Sequence, residues 1–106
     1  MFGFTDFDHF NVHLRIKARN GKKCFTFVEN LDKATPEILT VIEFMQSKTR
    51  DFKKKFNCSA TLIIVDDDPK HIEYIIKLQG DHREALKNYL TSTNIVSSDQ
   101  VMIHGW

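Results

Sequence analysis

The sequence is notable first for what it lacks. No apolar run approaches the roughly 20 residues that a membrane-spanning helix needs, and no signal-peptide pattern stands at its start. Two cysteines, Cys24 and Cys58, provide no disulfide framework. Both fall in predicted strands and read as buried, reduced thiols, which predicts a cytoplasmic protein. No nucleophile–base pair, metal-ligand spacing or glycine-rich phosphate loop is visible, so catalysis is disfavoured and no cofactor or metal is expected. His9 and His13 stand four apart, but in a tail and a strand, where that spacing does not converge as it does on a helix. The other histidines are scattered and read as surface or capping groups. Asp66-Asp67-Asp68 has neither the alternation, the glycine nor the distal glutamate of a calcium loop, and reads as an acidic turn with Pro69 and Lys70.

Strong net charge is also missing. At +1 for 106 residues, the balance would not by itself suggest a nucleic-acid binder. The length indicates one domain, taken as 12–106 behind a short tail at 1–11. Locally the picture changes. No Asp or Glu occurs between Asp8 and Glu29, whereas Arg15, Lys17, Arg19, Lys22 and Lys23 do. A second basic group, including Arg50, Lys53 and Lys54, lies in Lys48–Lys55. Such a distribution predicts a basic face rather than a basic protein.

The first basic group lies on the most strongly patterned stretch. Val12, Leu14, Ile16 and Ala18 alternate with His13, Arg15, Lys17 and Arg19; after Asn20-Gly21, Phe25 and Phe27 alternate with Cys24, Thr26 and Val28. Period-two alternation around Asn-Gly is a hairpin signal, because both turn residues accept positive φ. A net-positive hairpin with a protruding tip suits phosphate. The plainer alternative is a solvated edge hairpin whose lysines block aggregation.

Asn30–Ala34 reads as a connector. Thr35-Pro36-Glu37 predicts a helix start, with Ile38, Val41, Ile42, Met45, Thr49, Phe52 and Phe56 on its core side. Leu39 and Phe44 fall off that stripe and are expected to be exposed. Arg50 and Lys54 project opposite, with Lys53 on one flank; a solvated helix face is the ordinary meaning of such charges. Cys58–Val65 predicts an interior strand, and His71–Gln79 another with Ile72, Tyr74, Ile76 and Leu78 inward. Asp81 as N-cap with Glu84 predicts a capping box at a second helix. Thr91–Asp99 reads as a polar loop before a last strand, Val101–His104. The order β-β-α-β-β-α-β predicts an α+β two-layer sandwich: a mixed sheet of about five strands with two helices on one face.

Three junctions carry a resemblance. Arg19-Asn20-Gly21-Lys22-Lys23, Leu78-Gln79-Gly80-Asp81-His82-Arg83 and His104-Gly105-Trp106, with Lys53-Lys54-Lys55-Phe56 followed by Cys58, together resemble eukaryotic translation initiation factor one. That family shows an R-N-G-[RK]-K tip, an L-Q-G-D-Q-R junction and an H-G-F end. Any one motif is weak, but the ordered set spans about His13 to Trp106.

The resemblance implies a factor on the small ribosomal subunit, near the initiator tRNA site, that holds the complex open for scanning and leaves when the start codon pairs. It implies that Arg19, Asn20, Gly21, Lys22 and Lys23 meet ribosomal RNA, that Lys53 and Lys54 contact phosphate, and that Gly80, Asp81, His82 and Arg83 form the junction that affects start-site accuracy. The charge pattern adds Arg15, Lys17 and Arg50 to the expected RNA-binding residues. It also implies a monomer in contact with the factor-three complex, factor five and the factor-two complex, with no membrane. Departures are visible: His82 replaces Gln, Ser59-Ala60 replaces Asn-Gly, Trp106 replaces Phe, the tail is shorter, and Glu29–Gln46 is longer. A single-stranded RNA module of this fold would want aromatics on the open sheet face. The outward positions Arg15, Lys17, Glu73 and Lys77 are charged instead, which favours structured RNA backbone. A general structured-RNA or protein-interaction module is the remaining alternative.

Overall fold

The structure is a computed structural model that describes residues 10–20 and 23–105, with the backbone alone at Arg19 and Asn20. The alternating stretch forms two antiparallel strands, β1 (Val12–Asn20) and β2 (Lys23–Glu29), in register from His13 opposite Glu29 to Ala18 opposite Cys24. Arg19 is the extra residue of a bulge before Asn20 pairs with Lys23. The expectations for Gly21, Lys22, the Met1–His9 tail and Trp106 lie outside the described residues.

Five strands make one mixed sheet. With β3 (Ala60–Asp68), β4 (His71–Gln79) and β5 (Val101–Ile103), the order is β3-β4-β2-β1-β5. Only the β1–β5 pairing is parallel, and it covers β1 over Val12–Leu14. β2 is therefore the middle strand, while β1 is an edge from Arg15 to the tip. Register fixes which residues share a face. Leu14, Val28, Ile76 and Leu62 form one row across four strands, and Ile16, Thr26, Leu78 and Ala60 the next. Helices α1 (Val41–Lys55) and α2 (Arg83–Ser92) cover this side, where Met45, Phe52, Leu86 and Leu90 join Leu14, Val28, Ile76 and Leu78 in the core. Among the described residues, no helix covers the other side of the sheet, which is its open side.

Four local expectations are corrected. Helix α1 starts at Val41, not after Thr35. Thr35 closes a 3-10 turn, Leu31–Ala34, by donating its hydroxyl to the Asp32 carbonyl at 2.6 Å. Thr40 and Glu43 complete a reciprocal capping box, which Thr35 cannot do because Ile38 stands three residues on. The apolar stripe rotates accordingly: Phe44 is buried, whereas Ile38 is 88% exposed and Leu39 and Ile42 are partly exposed. The connector is also less passive than expected, since Leu31 is fully buried.

Second, β3 begins at Ala60 rather than Cys58. Asn57 in the left-handed region and the Cys58 N–H bond to the Lys53 carbonyl, 3.2 Å, terminate α1 as a Schellman motif and use those residues first. Third, β3 is an edge strand, not an interior one. Its apolar run divides between faces, with Leu62 against the core and Ile63 opposite Ile75 on the open side. The aspartates continue this strand as far as Asp68 opposite His71, so the turn is Pro69-Lys70 alone.

Fourth, the Asp81–Glu84 capping box does not form. His82 is the N-cap of α2, without a side-chain cap bond. The Asp81 carboxylate is engaged by Arg83 instead. Helix α2 runs on to Ser92, and Val96 in the loop beyond is buried.

Candidate nucleic-acid interface

Three segments distant in sequence meet at one end of the sandwich. The Gly80 N–H donates to the Cys24 carbonyl at 2.8 Å, which ties the tip end of β2 to the β4–α2 junction. The Phe56 ring lies 5.5 Å from the His82 ring, which brings in the end of α1. Lys23, Lys53, Lys54 and Lys55 are exposed around this end. Three lysines in the last turn of α1 also suit the negative end of its dipole. Lys48 differs from them, since it pairs with Asp51 at 3.3 Å and lies 5.6 Å from the Phe44 ring centre.

The junction is built around Thr26, the only buried polar side chain among the described residues. Its hydroxyl donates to the Gly80 carbonyl at 2.6 Å and accepts from the His82 N–H at 2.9 Å. Gly80 has φ +100°, and a Cβ there would stand 3.0 Å from His82 Nε2. Only glycine suits both conditions. His82 Nε2 in turn donates to the Gln79 carbonyl at 2.8 Å, which closes the turn. Sequence reasoning missed Thr26, because one threonine between two phenylalanines reads as ordinary strand alternation.

Asp81 and Arg83 form a two-pronged pair, Nε–Oδ1 2.9 Å and Nη2–Oδ2 2.8 Å. The Arg83 side-chain bond holds the Asp81 carboxyl below the usual range. Arg83 Nη1 also donates to the His104 carbonyl at 2.7 Å, so the same guanidinium anchors the segment after β5. His104 Nε2 and His13 Nδ1 are 2.9 Å apart and share a proton. Desolvation first, then Arg15 and His13, lower the His104 pKa.

The basic residues of the hairpin do not form a single face with those of α1. Arg15 and Lys17 lie on the open side of the sheet, whereas Arg50, Lys53 and Lys54 lie on a helix that covers the other side. Arg15 is paired with Glu29 at 3.0 Å. Aromatics are present on the open face as well, contrary to expectation. Phe25 sits opposite Lys17 and Gln79, and Phe27 opposite Arg15 and Lys77. Both phenylalanines are half-buried, and their period-two spacing was the available signal. Of the sequence-predicted site residues, Lys23, Lys53, Lys54 and Gly80–Arg83 gather at this end, Arg50 lies further back on α1, and Arg15 and Lys17 lie on the opposite side of the sheet; the Arg19 and Asn20 side chains, Gly21 and Lys22 are outside the described residues.

Known proteins are similar to this chain in sequence and in fold. The family model described as "Translation initiation factor SUI1" matches residues 9–96. A protein translation factor SUI1 homolog from Zea mays is 38% identical over 96 residues, covering 90% of this chain and 72% of the maize protein. The eukaryotic translation initiation factor eIF1 of Drosophila melanogaster is 35% identical over 97 residues, covering 90% of this chain and 76% of that protein. In three dimensions, the C-terminal domain of human eIF2D superposes with a TM-score of 0.69 at 14% identity. That superposition covers 88% of this chain and 42% of the human one, and shows a common fold.

Proposed function

Because the chain belongs to the translation initiation factor SUI1 family, we propose that it binds the small ribosomal subunit near the P site, promotes scanning and enforces start-codon selection. The observation that carries this reading is the convergence of the β2 tip end, the Gly80–Arg83 junction and the basic end of α1. Lysines on a rigid helix end are suited to RNA phosphate, which rewards fixed positive charge and releases counterions. The hairpin tip, with Lys22 and Lys23, would occupy space that the initiator tRNA needs. Correct pairing would then be favoured over mispairing through a differential interaction with two ribosomal states. The mechanism is one of binding and exclusion, with no bond made or broken.

The same reading makes the protein a cytoplasmic monomer that works beside the factor-three complex, factor five and the factor-two complex. One observation favours a protein contact in addition to RNA: Ile38, Leu39 and Ile42 are exposed together before and within the first turn of α1.

Pelleting with purified small subunits across a salt series tests the reading. Lys53→Ala with Lys54→Ala should weaken binding and flatten the salt dependence, by about 0.7–0.9 log units of slope per lost contact. Lys22→Glu with Lys23→Glu should also raise initiation at UUG relative to AUG when ribosome occupancy is matched. A tip variant that regains full stringency at matched occupancy would reduce the tip to a phosphate anchor. Absence of binding to small subunits would end the ribosomal reading.

A further inference from the structure

The open face of the sheet has no part in the convergence described above, yet its centre is organised. Phe25 and Phe27 stand two residues apart on β2, the middle strand, so both project from the same side. Their ring centres are 6.5 Å apart at an interplanar angle of 64°. Around them are Arg15 and Lys17 on β1, and Lys77 and Gln79 on β4. Lys77 Nζ lies 4.2 Å from the Phe25 ring centre, a cation resting on an aromatic face. Beside Phe27, a hollow of about 300 Å³ is lined by Arg15, Ile16, Lys17, Phe27 and Glu29. It lies along the part of β1 that β5 does not cover.

We propose that this face binds single-stranded RNA, with Phe25 and Phe27 each stacking on an unpaired base and Lys17 and Lys77 taking the flanking phosphates. Helices on one side of a sheet, and two aromatics on a central strand of the other, are what base stacking on a sheet requires. The surrounding charge selects the occupant. Lys17 and Lys77 flank the rings, while the acidic groups of the face, Glu29 and Glu73, lie toward the other end of the strands. Glu29 is moreover held by Arg15 at 3.0 Å. An arriving base would displace the Lys77 ammonium from the Phe25 ring, and the ammonium would move to the adjacent phosphate. Duplex RNA cannot use the rings, because its bases are already stacked and paired. This inference does not depend on the ribosomal reading, since it concerns free single strands and a different face.

Fluorescence anisotropy with labelled oligouridine and oligoadenosine, set against an RNA duplex of equal length, tests it. The full chain should bind both single strands more tightly than the duplex, with little preference between bases. Phe25→Leu and Phe27→Leu keep apolar bulk without a π face, and each should weaken binding by about 5- to 150-fold, the range that stacking spans per base. Lys77→Ala should reduce the salt slope by about 0.7. In the wild-type protein, NMR should show upfield shifts of the Phe25 and Phe27 ring protons on adding oligonucleotide, a readout that does not depend on any variant folding. Unshifted ring protons, leucine variants of full affinity, or a duplex bound as tightly as the single strands would each overturn the proposal. Ring shifts produced only by a peptide would assign the face to a protein partner, and would overturn it equally.

Discussion

Arg83 and His104 are joined by a 2.7 Å hydrogen bond from guanidinium to carbonyl, which ties the first residue of α2 to the chain just beyond β5. Asp81 fixes the other two donors of the fork, so one side chain sets both the helix start and the end of the sheet. A lysine could not reproduce this geometry, having one point charge in place of a planar fork. Arg83→Lys should therefore cost about 1 kcal/mol, modest because Asp81 is partly exposed. Urea denaturation measures the loss. Faster amide exchange at His104, whose N–H donates to the Leu14 carbonyl, should accompany it.

Thr26→Val keeps the shape of the side chain and removes only its hydroxyl. The Gly80 carbonyl and the His82 N–H would then both lack the partner that Thr26 supplies. A cost of about 2 kcal/mol is expected, because an unmet buried polar group loses more than a hydrogen bond is worth. Thr26→Ser should recover most of it. Equal stability of the valine and wild-type proteins in urea would contradict the clasp.

Acidification should loosen the sheet at β1 and β5. The folded pKa of His104 lies below its ordinary value of 6.5, so the unfolded chain binds the proton more readily. The stability contributed is therefore present above 6.5 and lost as pH falls through the depressed folded value. Protonated His104 would also lose the option of accepting at Nε2 across its 2.9 Å contact with His13 Nδ1. Melting temperature should fall between pH about 7 and 5, and His13→Thr should flatten that dependence. A melting temperature that rises on acidification would reverse the sign.

The apolar residues around the start of α1 should divide sharply. Ile38→Ser and Leu39→Ser remove exposed side chains and should change stability by less than about 0.5 kcal/mol. Phe44→Ser empties a core position and adds a hydroxyl there, for a loss of about 3 kcal/mol or more. Thermal melts of the three variants check the division, and weakened capture of an initiation-factor partner by the first two would assign the patch.

Alternation made the hairpin register legible, and in β4 the inward Tyr74, Ile76 and Leu78, because period two leaves no freedom once one face is buried. Ile72, expected inward with them, is instead exposed near the start of the strand. The start of α1 was not legible, since Thr35-Pro36-Glu37 imitates a helix opening that the complete box at Thr40–Glu43 wins. The edge position of β3 was hidden for a related reason: a run of four apolar residues suits a doubly buried strand and an edge strand alike. At the junction, the Gly80–Arg83 motif was visible from its residues. Its fastening was not, because Thr26 and His104 reach it only through the fold. The aromatics on the open face were visible as residues, but the outward charges drew the inference away from them.

Four of the five strands form two local hairpins, β1–β2 and β3–β4, joined along β2 and β4, and β5 is added beside β1. Each hairpin closes a short loop. The seam between them must close a long one, and the Thr26 hydroxyl spans it between residues 54 apart in sequence. Loop-closure entropy makes this seam costlier to form than either hairpin, so folding speed should depend on how early β2 meets β4. Substitutions along the seam would then retard folding, whereas those at the Arg83–His104 clasp would mainly hasten unfolding. The time the chain takes to fold would then be set at β2–β4, and the time it stays folded at the far edge of the sheet.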